Sequence, residues 1–176
     1  MTMRLPNERL AAIFLDRDGT IMEDVNYCAK ASDVRVFPDA SAALRYLKAA
    51  GYKLVVITNQ SGIGRGYFSE ADYHQVAREM ERQLGEGVID ATYFCPDRPD
   101  ENSPRRKPAP AMIFEAQREH ALDLARSFFI GDKAIDAECG RAAGMRTILV
   151  GNADGNADWH ARDLAEAVEI ILRHGV

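Results

Sequence analysis

Residues 11–20 read AAIFLDRDGT, an apolar run that ends in two carboxylates, Asp16 and Asp18. A short apolar run bounded by polar residues is typical of a buried strand in a parallel sheet. Side chains two residues apart on a strand point to the same face, so these carboxylates would repel each other. A metal ion, a shared proton or both must offset that repulsion. Because ligands of open α/β sheets bind beyond the carboxyl ends of the strands, the stretch also predicts where a site lies.

Apolar runs of the same kind recur along the chain. They cover residues 54–57, 89–94, 128–130 and 147–150. Helical patterns alternate with them, over residues 39–50, 69–84, 110–122, 134–144 and 162–173. This alternation predicts a three-layer, doubly wound α/β fold with a mostly parallel sheet. The length suits a single domain over residues 1–176.

Composition limits the classes of partner. The chain has 176 residues and a formal net charge of −5, which argues against nucleic acid as the main partner. No apolar stretch approaches the roughly 20 residues of a membrane span, and residues 1–10 show no export signal. The three cysteines, Cys28, Cys95 and Cys139, are scattered and odd in number, which predicts a reducing, cytoplasmic compartment.

Polar residues also follow the later runs. Thr58 and Asn59 end the second run, and the glycine-rich residues 62–66 come next. Backbone N–H groups in such a turn can hold an anion, although a flexible loop explains the glycines equally well. Asp132 leaves a later run just as Asp16 leaves the first. We therefore expect polar groups from several strands to meet at one edge of the sheet.

Two further features allow two interpretations each. Asp136 either joins Asp132 as a second acid pair or simply complements a helix dipole in a first turn. The basic run Arg105-Arg106-Lys107 either supplies cations for a phosphate or forms a solvated surface. The residues by themselves leave both choices open.

Taken in order, these segments resemble the four motifs of the haloacid dehalogenase (HAD) superfamily of phosphohydrolases. The resemblance runs from residue 13 to residue 150 and is closer to the subfamily that contains heptose bisphosphate phosphatases and histidinol phosphatases. The segments that carry it are FLDRDGTI (14–21), TNQSGIGRGYF (58–68), RKP (106–108) and GDK (131–133). It implies a HAD-like, Rossmann-type fold. Residues 24–39 and 68–107 leave no room for a large insert, so we expect a minimal cap.

The resemblance assigns roles to the matching positions. It implies that Asp16 is the nucleophile and Asp18 the general acid/base. It implies phosphate and substrate binding by Thr58, Asn59, Arg106, Lys107 and Lys133, and Mg²⁺ binding by Asp16, Asp132 and the backbone carbonyl of Asp18.

The resemblance also implies a reaction. The activity would be removal of the C7 phosphate of D-glycero-D-manno-heptose 1,7-bisphosphate through an aspartyl phosphate, by a monomer or small homo-oligomer. Histidinol phosphate or another small sugar phosphate is the alternative substrate. A phospho-acceptor signalling domain is an alternative of another class, but such a domain has no need of a second acid at Asp18.

The chain departs from the subfamily in one loop. The heptose phosphatases usually hold a structural zinc with Cys-x-His and then Cys-x-Cys just before the Arg-Lys pair. Here Cys95 is kept, but Asp97 stands at the histidine position, and Ser103 and Arg105 stand at the later cysteine positions. One cysteine cannot form a four-coordinate zinc site, so we predict no structural zinc.

Overall fold

The structure is a computed structural model that describes residues 9–175. Its strands, in chain order, are β1 (Ala12–Leu15), β2 (Lys53–Asn59), β3 (Ala91–Cys95), β4 (Phe128–Gly131), β5 (Arg146–Val150) and β6 (Trp159–Ala161). They form one sheet in the order β3-β2-β1-β4-β5-β6, and every pairing is parallel. The chain thus winds outward from β1 in both directions, which confirms the predicted doubly wound α/β fold.

The α-helices found within residues 9–175 are α1 (Ala40–Ala49), α2 (Ser61–Gly64), α3 (Glu70–Leu84), α4 (Ala111–His120), α5 (Ala134–Ala142) and α6 (Leu164–His174). The start of α3 is a capping box, in which Ser69 and Asp72 each accept a hydrogen bond from the other's backbone N–H. Helix α2 occupies the glycine-rich segment, where an open turn or a flexible loop was the expectation. Its Gly62 lies so close to the Phe68 ring that a Cβ would overlap the ring.

Strand β1 is buried on both faces because apolar residues fill every position. Ile13 and Leu15 face one hydrophobic cluster, while Ala12 and Phe14 face the other. Helices α1, α3 and α6 cover the first cluster, and α4 and α5 cover the second. Asp16 therefore follows directly from a strand that is buried at every position, which restricts the movement of its backbone.

Residues 19–38, which follow β1, form a small flap. Met22 pairs with Val36 in an antiparallel bridge, and the Glu23 N–H donates to the Arg35 carbonyl at 2.9 Å. A three-residue 3₁₀ turn, Ala31–Asp33, is the regular helix found in it. A flap of this size is the minimal cap that the sequence predicts.

The N-terminal prediction, that no export signal is present, concerns residues that include 1–8, and those lie outside the described residues. Within residues 9–175, no helix combines the length and the hydropathy needed to cross a membrane.

Candidate active site

The carboxyl ends of three neighbouring strands meet at one edge of the sheet. Asp16 follows β1, Thr58 and Asn59 end β2, and Asp132 follows β4. Lys107 joins them from the loop between β3 and α4. The structure therefore brings together residues from four separate parts of the sequence.

Lys107 is the buried centre of this group, with only 3% of its surface exposed. Its Nζ donates to Asp16 Oδ1 at 2.7 Å, to Asp136 Oδ1 at 2.7 Å and to the Ile57 carbonyl at 2.9 Å. Burial by itself disfavours an ammonium, but the charges of Asp136 and Asp16 outweigh it and raise the pKa of Lys107 above its usual range. Lys107 therefore remains charged and ties β1, β2 and α5 together.

Asp136 is a residue of this group whose place the sequence left undecided between an acid pair with Asp132 and a first-turn helix dipole. Its Oδ2 accepts the backbone N–H groups of Asp132 and Lys133 at 3.2 and 3.1 Å, while Oδ1 binds Lys107. It is buried, with 1% exposed, so the dipole interpretation is insufficient. The local pattern predicts an acid in the first turn of α5, but nothing near it indicates the lysine 29 residues away that it binds.

Asp132 lies beside Asp16 and has one unsatisfied oxygen. Single oxygens of Asp16, Asp132 and Asp136 lie within 4.8 Å of one another, and among the described residues Asp132 Oδ1 is buried without a hydrogen-bond partner. Burial and the charge of Asp16 raise the pKa of Asp132 to about 7. Burial also raises the pKa of Asp16, assisted by Asp136 and opposed by Lys107.

These oxygens suit a small divalent cation. Mg²⁺ prefers carboxylate oxygens and is commonly held by one or two of them together with substrate phosphate. Because both oxygens of Asp136 are already hydrogen-bonded, Asp16 and Asp132 are the available side-chain ligands. A cation between them would also offset the charge of Asp16, which adds to burial in raising the pKa of Asp132.

The carboxylate of Asp18 has a different environment from the one expected. Arg17 binds it through two hydrogen bonds, from Nε to Oδ2 at 3.1 Å and from Nη2 to Oδ1 at 3.0 Å. Gln60 Nε2 donates to Asp18 Oδ2 at 3.0 Å and to Thr58 Oγ1 at 2.8 Å. The expected repulsion between Asp16 and Asp18 is therefore offset separately, by Lys107 for Asp16 and by Arg17 for Asp18.

A cavity of about 180 Å³ opens beside Asp18. Its walls come from the strand ends, the flap and the start of α5: Asp18, Asp24, Asn26, Tyr27, Cys28, Asn59, Gln60, Ser61 and Lys133. Lys133 is half-exposed there and donates to Asp24 Oδ2 of the flap at 3.0 Å. A larger cavity, of about 340 Å³, adjoins Gly19 and Thr20 but touches none of the predicted site residues. The smaller cavity is therefore the candidate substrate site.

Two predicted binding residues hold the surrounding loop. The Asn59 carboxamide donates to the Lys107 carbonyl at 3.2 Å and accepts the Lys107 N–H at 3.0 Å. Arg106 donates from Nη1 to the Asp97 carbonyl at 3.1 Å. Asn59 thus fixes the backbone of Lys107, whereas Arg106, the residue before Lys107, is bound to Asp97 in the same loop.

The residues at the positions where the subfamily usually has zinc ligands form hydrogen bonds with one another. Cys95 Sγ donates to Asp97 Oδ2 at 3.4 Å and lies 3.7 Å from Ser103 Oγ. Ser103 Oγ accepts the Arg105 N–H at 3.3 Å. Hydrogen bonds therefore connect the four positions at which the subfamily usually has zinc ligands.

Comparison with known proteins gives consistent matches. Residues 104–173 match the family model described as HAD-hydrolase-like. The chain is 37% identical over 188 aligned positions to the D-glycero-beta-D-manno-heptose-1,7-bisphosphate 7-phosphatase of Yersinia pestis, with 97% of each chain covered. It is 39% identical over 176 positions to the D-glycero-alpha-D-manno counterpart of Burkholderia mallei, with 93% of this chain and 88% of that one covered.

A solved structure agrees with these relatives. The crystal structure of D,D-heptose 1,7-bisphosphate phosphatase from B. bronchiseptica, complexed with magnesium and phosphate, superposes with a TM-score of 0.86. The identity is 30%, and the match covers 94% of this chain and 100% of that one.

Proposed function

This chain belongs to the HAD phosphatases of the heptose-1,7-bisphosphate 7-phosphatase subfamily, and from that premise we propose that it removes the C7 phosphate of D-glycero-D-manno-heptose 1,7-bisphosphate. The observation that carries the chemistry is the contact between Asp16 and the buried ammonium of Lys107, opposite the unsatisfied oxygen of Asp132. The names of the relatives support the substrate, and they include both anomers.

The reaction has two steps. An oxygen of Asp16 attacks phosphorus, the bond from phosphorus to the C7 oxygen breaks, and Asp18 gives its proton to the departing oxygen. The sugar leaves with a free C7 hydroxyl. Water then attacks the phosphorus of the aspartyl phosphate, Asp18 accepts the water's proton, and the bond from phosphorus to the Asp16 oxygen breaks. Inorganic phosphate leaves, and both aspartates return to their first state.

Charge is the main obstacle to the first step. A carboxylate and a phosphate oxygen repel by about 4 kcal/mol at 4 Å with an effective dielectric constant of 20. Lys107 offsets part of this repulsion because it is buried, charged and in contact with Asp16. Mg²⁺, when held by Asp16, Asp132 and the Asp18 carbonyl, supplies further positive charge to the phosphate.

The test is phosphate release from a panel of esters in the presence of Mg²⁺. The panel contains both anomers of heptose 1,7-bisphosphate, histidinol phosphate and fructose 1,6-bisphosphate, with Asp16→Asn as the inactive control. We expect a kcat/KM preference of about 100-fold, or about 2.7 kcal/mol, for one heptose anomer. A preference for histidinol phosphate, or uniformly low activity, would contradict the assignment of the substrate but not the proposed phosphatase chemistry.

We further infer that the loop between β3 and α4 functions without zinc and that the protein is cytoplasmic. The hydrogen bonds that join Cys95, Asp97 and Ser103 support the first inference, since they occupy the groups that would otherwise bind metal. The three cysteines are buried and unpaired, which is typical of a reducing compartment. Elemental analysis of protein purified from zinc-supplemented medium should find far less than one zinc per chain.

A further inference from the structure

Arg17 is a fully buried arginine placed between the two aspartates of the site. Only 1% of its surface is exposed. A buried guanidinium is costly unless it is paired and hydrogen-bonded. Among residues 9–175 its ion-pair partner is Asp18, which it contacts with two nitrogens of the same planar fork. A two-point contact of this kind restricts the orientation of a carboxylate as well as its position.

Both ends of Arg17 are held in place. Its guanidinium carbon lies 5.5 Å from the centre of the Tyr73 ring of α3, and that ring is itself 1% exposed. Its carbonyl accepts the N–H groups of Thr20, Ile21 and Met22 at 3.3, 2.9 and 3.2 Å. The side chain of Arg17 therefore extends from a hydrogen-bonded backbone at one end to a buried aromatic ring at the other.

The carboxylate of Asp18 receives three hydrogen bonds. Arg17 supplies one to each oxygen, and Gln60 supplies a second one to Oδ2. A carboxylate offers about four lone-pair positions, so the position that remains for a transferred proton is on Oδ1. Asp18 also lines the cavity assigned to the substrate.

We propose that Arg17 is a positioning residue, whose buried fork holds the carboxylate of Asp18 in the orientation that delivers a proton to the leaving oxygen. The inference rests on the proposed function, in which Asp18 is the general acid/base. Arg17 itself touches no reacting atom. Its effect is to keep the Asp18 carboxylate from rotating away from the reactive orientation between turnovers.

The leaving group provides the test. An alkyl phosphate needs a proton on its departing oxygen, whereas p-nitrophenolate leaves without one. In Arg17→Met we expect kcat/KM for the preferred alkyl phosphate to fall about 100-fold, with KM changed by less than about threefold. With p-nitrophenyl phosphate we expect a rapid burst of about one nitrophenolate per enzyme, followed by slow turnover. The burst appears because water attack on the aspartyl phosphate still needs a well-placed Asp18.

Matched variants separate positioning from folding. Asp18→Asn should give the same pattern with a larger defect, and Arg17→Lys, which keeps the charge but loses the fork, should lie between Arg17→Met and wild type. Arg146→Met is the control, since Arg146 also lies over an aromatic ring, 3.9 Å from the centre of Phe128, at the opposite end of the sheet. It should lose stability without distinguishing the two leaving groups.

Three results would overturn the inference. If folded Arg17→Met loses the nitrophenolate burst and alkyl hydrolysis equally, Arg17 has only a structural role. If alkyl hydrolysis is unchanged, Asp18 does not depend on Arg17 for its orientation, and if it is faster, Arg17 holds Asp18 in an unproductive orientation. Should Arg17→Met fail to fold, Arg17→Lys and Gln60→Leu decide between the same outcomes. Failure of the proposed function looks different: wild-type protein would then prefer another ester, on which the same comparison of variants still applies, or would release no phosphate from any ester.

Discussion

Lys107 balances the charges of two buried carboxylates, those of Asp16 and Asp136. The effect of removing its ammonium group on stability can be measured. In Lys107→Met the carboxylates of Asp16 and Asp136 lose their common cation, so we expect the free energy of unfolding to fall by about 3–5 kcal/mol. Lys133→Met removes the same charge from a half-exposed pair with Asp24 and should cost less than about 1 kcal/mol. Urea denaturation measures both. Equal, small losses would contradict the assigned role of Lys107.

Gly19 illustrates a constraint set by a neighbouring side chain. Its φ is +84°, and a Cβ there would overlap the carboxylate of Asp132. We expect Gly19→Ala to displace that carboxylate and to weaken Mg²⁺ activation of phosphate release by about 10-fold or more. Gly66 has a similar φ of +73° but open space around it. Gly66→Ala should cost about 1–2 kcal/mol of stability and leave the Mg²⁺ dependence unchanged, and a shared Mg²⁺ defect would argue against the explanation.

At the scale of elements, Asp90 joins α1 to β2 beyond the amino end of β3. It accepts the Leu54 N–H at 2.9 Å and contacts Lys48 and Lys53 at 2.9 and 3.0 Å. Burial alone would raise the pKa of Asp90, but the hydrogen bond from Leu54 and the two ammonium groups outweigh it and lower the pKa. The connection therefore depends on an ionised carboxylate.

This lowered pKa predicts a pH dependence of stability. A carboxyl with a lower pKa in the folded state stabilises the fold above the unfolded value of about 3.9 and loses that effect as the pH falls below it. Asp90→Asn should be about 1 kcal/mol less stable at pH 7, and its stability should decline less steeply from pH 4 to pH 2. Thermal unfolding across this range measures both. The exposed Asp100→Asn serves as the control, and identical acid profiles for all three proteins would refute the role of Asp90.

Some strands can be predicted from a local pattern of apolar residues, whereas others form only because they pair with a distant strand. Strand β1 is evident because five successive apolar residues need two covered faces. Strand β6 (Trp159–Ala161) escapes prediction because it has three residues and only Ala161 among them is buried. It joins the sheet by pairing with β5, a contact between segments that no short window of sequence contains.

At the scale of the whole molecule, the fold rests on two hydrophobic clusters on either side of the sheet and the site lies at its edge. Chelation of Mg²⁺ should therefore abolish phosphate release and leave the far-ultraviolet circular dichroism unchanged. Mg²⁺ at 100 times its dissociation constant should add about 2.7 kcal/mol of stability. Unfolding on chelation would show that the metal, rather than the clusters, maintains the fold.

The sequence by itself determined the doubly wound sheet and the acids at its edge, because strand periodicity and the residue after each strand are local properties. It also indicated Lys107, through its place in a recognisable order of segments. Tertiary structure alone decided which charges pair. Asp16 meets Lys107 across 91 residues, and Asp136 shares that lysine across 29 residues. Pairing depends on where the chain brings distant groups together in a medium without water, and the order of residues does not state those distances.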